Sequence, residues 1–558
     1  MQAPGKKIEN CPSKYYLRVE ITRLKKLLFI LLAALPALFS SCRKGSPSWE
    51  TGLLFPIAYG SISIDNLITD SLITEGADGS VRLVYSTKIA GLTDSLFEIP
   101  DTSIINSYNI PFGSVIFNPG DWITPTNNPT QTTYALGNVE LVMGILSEGI
   151  ITLQLKNDIR RRVILNYEIP CASINGDPFD TSFVVNAAPD SLNASYLTAV
   201  IDLSGYTFSF TGTNNNMVNT ITTIFSARID PTETLPVTVY NTDSVAAINT
   251  FGGIKPYYIR GYFGSETTMA GPEETGMSFF NRVQSGAIGL DSLTMNLRLT
   301  NYIGMDARIT VNSLWSRNTR TGQSVYMNNS MIGAPINVDR ATYATGTPPS
   351  NPSVYNFSFN NANSNAKALV ENMPDKLGYA ISILTNPLGN VSGNNDFFFA
   401  NYGIDAQLDV ELPLNFYADQ LVFEDTMEMS FASVENKEKI LRGHLTLLAS
   451  NSFPFTAGLQ VFLMDANNQV LDSIIPLPGI INSGATMSVN NYIVSAGFSN
   501  TQIHIPLNES QTQALLNSTR LIFRATFDTN SAPGYVKIYS TNRLDLQLTA
   551  DFDYFIGD

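Results

Sequence analysis

Apolar and polar residues alternate in short runs along most of the chain, and residues typical of turns separate the runs. Residues 61–64, 81–85 and 114–117 show this pattern, and the turn residues 78–80 directly precede the second run. A period of two over about four to eight residues is typical of β-strands. Residues 544–556 alternate almost to the end of the chain. The pattern predicts a protein built mainly from strands.

Three stretches of the chain end on an asparagine and share the apolar positions that follow it. Asn157, Asn301 and Asn451 lie 144 and 150 residues apart. Asn tolerates left-handed backbone and bonds its own main chain, so each copy predicts a strand, a bend and a second strand. The three stretches are residues 149–157, 293–301 and 443–451.

Two further patterns follow in the same order, which indicates tandem repetition. In the later two copies a short helix is predicted before the second pattern. One helix, from residue 366 to 372, is stopped by Pro374, and the other, from residue 509 to 517, begins at the capping pair Asn508 and Gln511. The second pattern occupies residues 224–230, 379–385 and 522–528, and the third occupies residues 401–408 and 542–548.

The predicted fold class is all-β, with tandem β-sandwich-like modules and a few short helices. Many short strands with frequent turns favour sandwiches over parallel α/β layers. The predicted organisation is a signal peptide (1–41), a lipidated tether (42–50), an N-terminal β unit (51–130) and three β modules (131–265, 266–415 and 416–558).

The stretch before residue 42 has the pattern of a secretion signal. Residues 23–26 include three basic residues, residues 27–39 form a run of 13 apolar residues, and two serines follow. Such a run is shorter than the about 20 residues of a membrane-spanning helix, so we predict a cleaved signal peptide. The residues before it fit no signal, and we expect the true start of translation between Val19 and Leu24.

Cys42 follows the two serines directly. The run Phe39-Ser40-Ser41-Cys42 resembles the lipobox of bacterial lipoproteins. The resemblance implies acylation of the Cys42 thiol and cleavage of the bond between Ser41 and Cys42.

The residues after Cys42 extend this resemblance. Trp49-Glu50-Thr51 and the apolar residues 53–57 are similar to the start of uncharacterised lipoproteins of Bacteroidota. In that group, export to the cell surface is associated with acidic residues after the lipidated cysteine, whereas Arg43 and Lys44 stand here. We therefore expect a lipid anchor in the outer membrane, facing the periplasm rather than the cell surface.

The net charge argues against one class of partner, and the cysteine content argues against a disulfide. The net charge is −15, and residues 1–41 carry seven Lys/Arg and two Asp/Glu, so the remaining chain has a net charge of −20. An acidic surface repels phosphate backbones, so we expect no nucleic-acid partner. After processing, Cys42 and Cys171 are the remaining cysteines, so no intramolecular disulfide is available once Cys42 is acylated.

The motifs of common catalytic and metal sites are absent from the sequence. The two histidines, His444 and His504, lie in separate strand-like runs, without H-E-x-x-H, C-x-x-C or G-x-S-x-G spacing. There is no nucleotide-binding glycine motif either, so we predict a non-enzymatic protein without catalytic residues, metal or cofactor. A pair of carboxylates acting as in glycosidases stays open, because sequence spacing does not reveal their distance. The candidates are Asp405, Glu411, Glu424 and Asp425.

The sequence hypothesis is a lipid-anchored outer-membrane protein with a binding or scaffold role and a protein partner. One alternative is a carrier or chaperone of lipid or another apolar ligand, which requires a large apolar cavity. Another is a carbohydrate-binding or carbohydrate-active protein, which requires exposed aromatic residues. Residues 397–399 and 257–258 are the aromatic clusters concerned.

Overall fold

The computed structural model describes residues 49–64, 72–92, 100–111, 113–278, 280–429, 440–529 and 534–556. The predicted signal peptide and Cys42 lie outside the described residues. The structure confirms the all-β prediction, with tandem β-sandwich-like modules and short helices. The boundaries of the modules stay a prediction, and we use them below to name the first, second and third modules.

Strands account for most of the described chain up to the end of the first module. The N-terminal segment contains β1 (Trp49–Ser63), β2 (Ile73–Glu75), β3 (Val81–Leu92), β4 (Thr102–Asn109), β5 (Ser114–Phe117) and β6 (Pro129–Thr133). The strands that follow are β7 (Glu140–Asn157), β8 (Val163–Ile174), β9 (Asp177–Val185), β10 (Ser195–Asp202), β11 (Thr207–Ser209), β12 (Thr220–Ile229), β13 (Val237–Tyr240) and β14 (Ser244–Tyr262).

The second and third modules each add one helix to their strands. The second contains β15 (Thr267–Gly276), β16 (Val283–Leu290), β17 (Thr294–Asn301), β18 (Ala307–Arg317), β19 (Ser324–Tyr326), β20 (Pro335–Val338), β21 (Thr342–Tyr343), β22 (Ser350–Asn351), β23 (Ser353–Asn360), α1 (Ala366–Glu371), β24 (Lys376–Thr385), β25 (Asp396–Phe399) and β26 (Ile404–Pro413). The third contains β27 (Asn415–Glu428), β28 (Ile440–Asn451), β29 (Thr456–Met464), β30 (Val470–Ile481), β31 (Ala485–Val489), β32 (Tyr492–Gly497), β33 (Ser499–Leu507), α2 (Glu509–Asn517), β34 (Arg520–Asp528), β35 (Val536–Lys537) and β36 (Arg543–Ile556). The predicted capping box of Asn508 and Gln511 is present at the start of α2.

Each module places its strands in two antiparallel layers of the same order. One layer is called the anchor-side sheet below, because in the third module it contains β1, the strand that follows Cys42 in the sequence. It runs β4-β14-β7-β10 in the first module, β3-β26-β17-β23 in the second and β1-β36-β28-β33 in the third. The other layer runs β9-β8-β12-β6, β20-β18-β24-β15 and β30-β29-β34-β27. The strands of the second sequence pattern, β12, β24 and β34, therefore occupy the same position in all three.

The three asparagines make the same set of hydrogen bonds. Each is buried, with an exposed fraction of 1% or less. The side-chain amide donates to the carbonyl four residues later and to a more distant carbonyl, while its oxygen accepts from the N–H two residues later. Asn157 donates to the carbonyls of Arg161 at 2.9 Å and Asn186 at 2.8 Å, and accepts from the N–H of Ile159 at 2.8 Å. Asn301 donates to Met305 at 3.0 Å and Asp339 at 2.9 Å, and accepts from Ile303 at 2.9 Å. Asn451 donates to Phe455 at 3.1 Å and Asn482 at 2.9 Å, and accepts from Phe453 at 2.8 Å.

The N-terminal segment shares its strands among all three modules. Strand β1 pairs with β36 of the third module, β3 with β26 of the second and β4 with β14 of the first. Residues 51–130, which we predicted to form one N-terminal unit, therefore run along the modules in reverse order. Local alternation marks these strands but carries no information on partners hundreds of residues away.

Strand β1 begins inside the predicted tether. Trp49 pairs with Ile556, and the pairing continues to Ser63 opposite Arg543. Residues 49 and 50 are therefore strand residues rather than tether. As a consequence, β36 is a central strand between β1 and β28, with Leu544, Leu546, Leu548, Ala550 and Phe552 in the core.

Candidate functional site

The residues that the sequence singled out lie on several separate surfaces, and the predicted lipidation site lies outside the described residues. Strand β1 is the first described element after Cys42 in the sequence. Six residues separate Cys42 from Trp49. A segment of this length spans at most about 25 Å even when fully extended, at about 3.5 Å per residue.

Both histidines lie on the outer face of the anchor-side sheet of the third module. His444 on β28 has its Nε2 3.6 Å from a carboxylate oxygen of Asp551, and His504 on the neighbouring strand lies 3.2 Å from the hydroxyl of Thr446. In the part of the chain that the structure describes, no three His, Cys, Asp or Glu side chains form a metal-binding group. The sequence could not show that β28 and β33 are neighbours, because about fifty residues separate them.

Three of the four candidate carboxylates are paired with cations, whereas Asp425 accepts a hydrogen bond of 2.9 Å from the backbone N–H of Thr426. Asp405 is 2.6 Å from Lys88, and Glu411 is 2.9 Å from Arg82. Both pairs lie on the outer face of the anchor-side sheet of the second module, where β3 meets β26. Glu424 pairs with Arg524 on the other layer of the third module. The ion pairs explain these carboxylates as ordinary members of solvated strand surfaces, without a catalytic role.

The aromatic residues 397–399 lie at the junction of the first and second modules. Strand β25, which carries them, pairs with the far end of β14, so that Phe399 faces Tyr258. Phe398 and Phe399 are 2% and 4% exposed, whereas Tyr257 is 47% exposed. The cluster is thus mainly a packing contact between modules, and its burial counts against a sugar site formed by Phe397–Phe399.

A buried carboxylate next to this cluster was not predicted from the sequence. Asp396 is fully buried and accepts a hydrogen bond of 2.7 Å from the Asn386 amide, with Arg340 3.5 Å away. Arg340 also donates to Asp306 at 2.7 Å, and this hydrogen bond holds the pKa of the Asp306 carboxyl below its usual range. Asn386 and Arg340 thus compensate the buried charge of Asp396 at the junction of β14 and β25. Without such partners, a buried carboxylate destabilises the fold.

Cys171 on β8 is half-buried. Its Sγ accepts from the backbone N–H of Thr222 at 3.3 Å. Burial raises the pKa of the thiol above its ordinary value.

We expect Cys171 to react slowly with a thiol reagent in the folded protein at pH 8, because the thiolate is the reactive species and a raised pKa lowers its fraction. Reaction in denaturant should be faster by about tenfold or more. Mass spectrometry of alkylated peptides over time measures both rates. Equal rates in the two conditions would show that burial does not protect this thiol.

The run Arg160-Arg161-Arg162 lies in the bend between β7 and β8. Arg162 donates to Glu233 at 3.1 Å and lies 3.4 Å from Asp230. Arg161 donates to the carbonyl of Leu235 at 3.3 Å. Two of the three guanidinium groups are therefore engaged within the first module.

A shallow cavity lies on the outer face of the anchor-side sheet of the third module. Its volume is about 410 Å³. One row of paired residues crosses all four strands beneath it, namely Tyr59, Gln547, Leu448 and Gln502. The next row is Ser61, Asp545, Ser450 and Asn500, of which the last three line the cavity.

Two apolar cavities within the cores are much smaller. One, of about 30 Å³, lies in the first module beside Phe208 and Phe210. The other, of about 60 Å³, lies where residues of the second and third modules meet, beside Leu414, Phe453 and Phe527. Sites for small molecules usually have about 300–1,000 Å³, so these two cavities do not provide the space that an apolar cargo needs.

No protein-family model and no curated protein matches the sequence. Among solved structures, the chain is similar to a predicted secreted protein of Parabacteroides distasonis, a bacterium of the Bacteroidota. The identity is 10%, the match covers 90% of this chain and 99% of that chain, and the TM-score is 0.28. A structure of infectious bursal disease virus, Gx strain, matches with 9% identity over 89% of this chain and 87% of that chain, with a TM-score of 0.12. TM-scores this low do not support an inference about function.

Among the described residues, neither helix has the length and apolar character needed to cross a bilayer.

Proposed function

We propose that the protein is a lipid-anchored outer-membrane protein with a non-enzymatic binding or scaffold role. The observation that carries this proposal is the lipobox-like run ending at Cys42, with only six residues between Cys42 and the start of β1. Strand β1 is paired with β36 along its whole length, so a lipid on Cys42 would hold a folded module directly rather than through a long linker.

The order of strand pairing supports a defined orientation on the membrane. The N terminus of β1 and the C terminus of β36 lie side by side at the third module. The segment from β1 to β4 then runs from the third module to the first. In this arrangement the third module is nearest the lipid, and the first and second modules carry surfaces that a partner protein can reach. Arg43 and Lys44 favour the periplasmic face of the outer membrane.

The alternative of an apolar-ligand carrier receives less support, because the two core cavities of about 30 and 60 Å³ are small. A catalytic role also gains no support from the candidate carboxylates, since Asp405, Glu411 and Glu424 are each paired with a cation.

The test is capture of the native lipoprotein from cross-linked membranes, followed by identification of its partners. A stoichiometric protein partner that survives a wash in high salt is the expected result. A protein recovered alone after cross-linking would remove the support for a scaffold role. Protease added to intact cells tests the cellular location independently. Cleavage of the protein in intact cells would show that it faces the cell exterior and would overturn the periplasmic placement.

A further inference from the structure

We infer that the outer face of the anchor-side sheet of the third module binds a neutral oligosaccharide. The inference rests on the binding role proposed above and names a ligand class for one surface. It does not depend on the lipid or on the membrane face.

The cavity on this face has the size and the side chains of a sugar site. Its volume of about 410 Å³ lies within the usual range of ligand sites, about 300–1,000 Å³. Tyr59, at one side, is 72% exposed and offers the flat apolar face of its ring together with a hydroxyl. Leu448, 40% exposed, extends the apolar surface two strands further along the same row.

Amide side chains surround these apolar groups. Gln547, Gln502 and Asn500 belong to the two rows beneath the cavity. An amide both donates and accepts hydrogen bonds, as sugar hydroxyls do. Gln547 and Asn500 have no side-chain hydrogen bond to any part of the chain that the structure describes, so both are available to a ligand.

The site is close to electrically neutral. Asp545 is the only charged residue among those lining the cavity within the described chain. It accepts a hydrogen bond of 2.6 Å from Ser61 and one of 2.9 Å from Arg543. Burial raises the pKa of the Asp545 carboxyl, but these two partners outweigh it and hold that pKa below its usual range. The carboxylate is thus already compensated, and a neutral ligand leaves that compensation intact.

The other two modules provide an internal comparison, because the asparagines align their strands. The positions of Tyr59 and Leu448 are taken in the second module by Lys88 and Arg298. Lys88 is bound to Asp405 at 2.6 Å, so a ligand there would have to displace an ion pair. At these two positions the third module has Tyr59 and Leu448, which are uncharged and lie beside the cavity.

In the first module the comparable sheet face carries different side chains. Lys156 takes the position of Ser450 and pairs with Asp158 at 2.7 Å. Tyr196, 60% exposed, faces Lys156 from β10. Tyr196 is therefore a matched control residue, an exposed tyrosine on the corresponding sheet that faces a charged side chain instead of neutral amides.

The test is calorimetric titration of the full mature lipoprotein in detergent with neutral hexose and pentose oligosaccharides. At least one should bind with a dissociation constant in the micromolar to millimolar range. Tyr59→Ala and Gln547→Ala should each weaken that binding by about tenfold. Tyr196→Ala should leave it unchanged, and circular dichroism of each variant checks that the fold is retained.

Two outcomes would overturn the inference. One is that none of the neutral oligosaccharides binds at millimolar concentration. The other is that binding survives both Tyr59→Ala and Gln547→Ala in folded protein. Uronic-acid oligosaccharides that bind as tightly as neutral ones would overturn the assigned ligand class. Failure here leaves membrane anchoring and capture of a protein partner unaffected, so it is distinguishable from failure of the proposed function.

Discussion

Replacing Cys42 by alanine should abolish fatty-acid incorporation and lower the amount of protein in the outer membrane by at least about tenfold. An acyl chain contributes about 0.8 kcal/mol per buried CH₂, and stable anchoring needs two such signals. The chain after residue 41 has a net charge of −20, which disfavours an anionic bilayer surface once the lipid is lost.

Labelling with a fatty-acid analogue, fractionation of membranes and mass spectrometry of the N terminus measure the effect of Cys42→Ala. The form that begins at residue 42 should disappear, since cleavage at a lipobox depends on the modified cysteine. Cys171→Ala is the matched control, because Cys171 is half-buried in β8 and should not affect lipidation. Labelled protein that persists in the Cys42→Ala variant would disprove the lipidation site.

Sequence patterns predicted the repeated core of the fold because that core depends on local signals. Each asparagine acts within its own bend, on the N–H two residues later and the carbonyl four residues later. The strands on either side show a period of two that follows from one buried face. Both signals are local, and they are present in the sequence of each copy.

The position of the N-terminal strands could not be predicted in the same way. The pairing of Trp49 with Ile556 depends on register between strands at opposite ends of the chain. Alternation in β1 shows that one face is buried but does not identify the sheet that buries it. Such non-local pairing also means that this sheet of the third module cannot be completed before β36 has been synthesised.

The candidate site was beyond sequence reasoning for a related reason. Tyr59, Gln547, Leu448 and Gln502 form one row only because four strands from distant segments are adjacent. Separately, each is an ordinary polar or apolar position on a strand. The sequence did direct attention to residues 397–399, whose aromatic side chains turned out to serve the contact between the first and second modules.

Replacing Asn301 by alanine should destabilise the second module by about 3 kcal/mol or more. The substitution leaves the carbonyls of Met305 and Asp339 and the N–H of Ile303 without their partner in a buried bend. Each unsatisfied buried group costs about 1–3 kcal/mol. Because a chain with three modules is not expected to unfold in one step, the effect should be local to the second module.

Hydrogen exchange of peptides from β17 and β18 measures this loss, with peptides from the first module as an internal reference. A loss of about 3 kcal/mol corresponds to faster exchange by a factor of about one hundred where exchange occurs through opening of the module. Asn356→Ala on β23 is the matched control, since Asn356 is exposed on the same sheet. Equal protection in both variants would contradict a structural role for the buried amide.

A second variant separates the hydrogen bonds from the volume of the side chain. Asn301→Asp keeps the size and the oxygen that accepts from Ile303, but it replaces the two donated bonds by contacts between a carboxylate oxygen and two carbonyls. A buried, unpaired charge adds a further cost, so Asn301→Asp should be at least as damaging as Asn301→Ala at neutral pH. If Asn301→Asp were instead tolerated, the asparagine would matter for the shape of the bend alone. The same comparison at Asn157 and Asn451 would then show whether the three modules share one stabilising device.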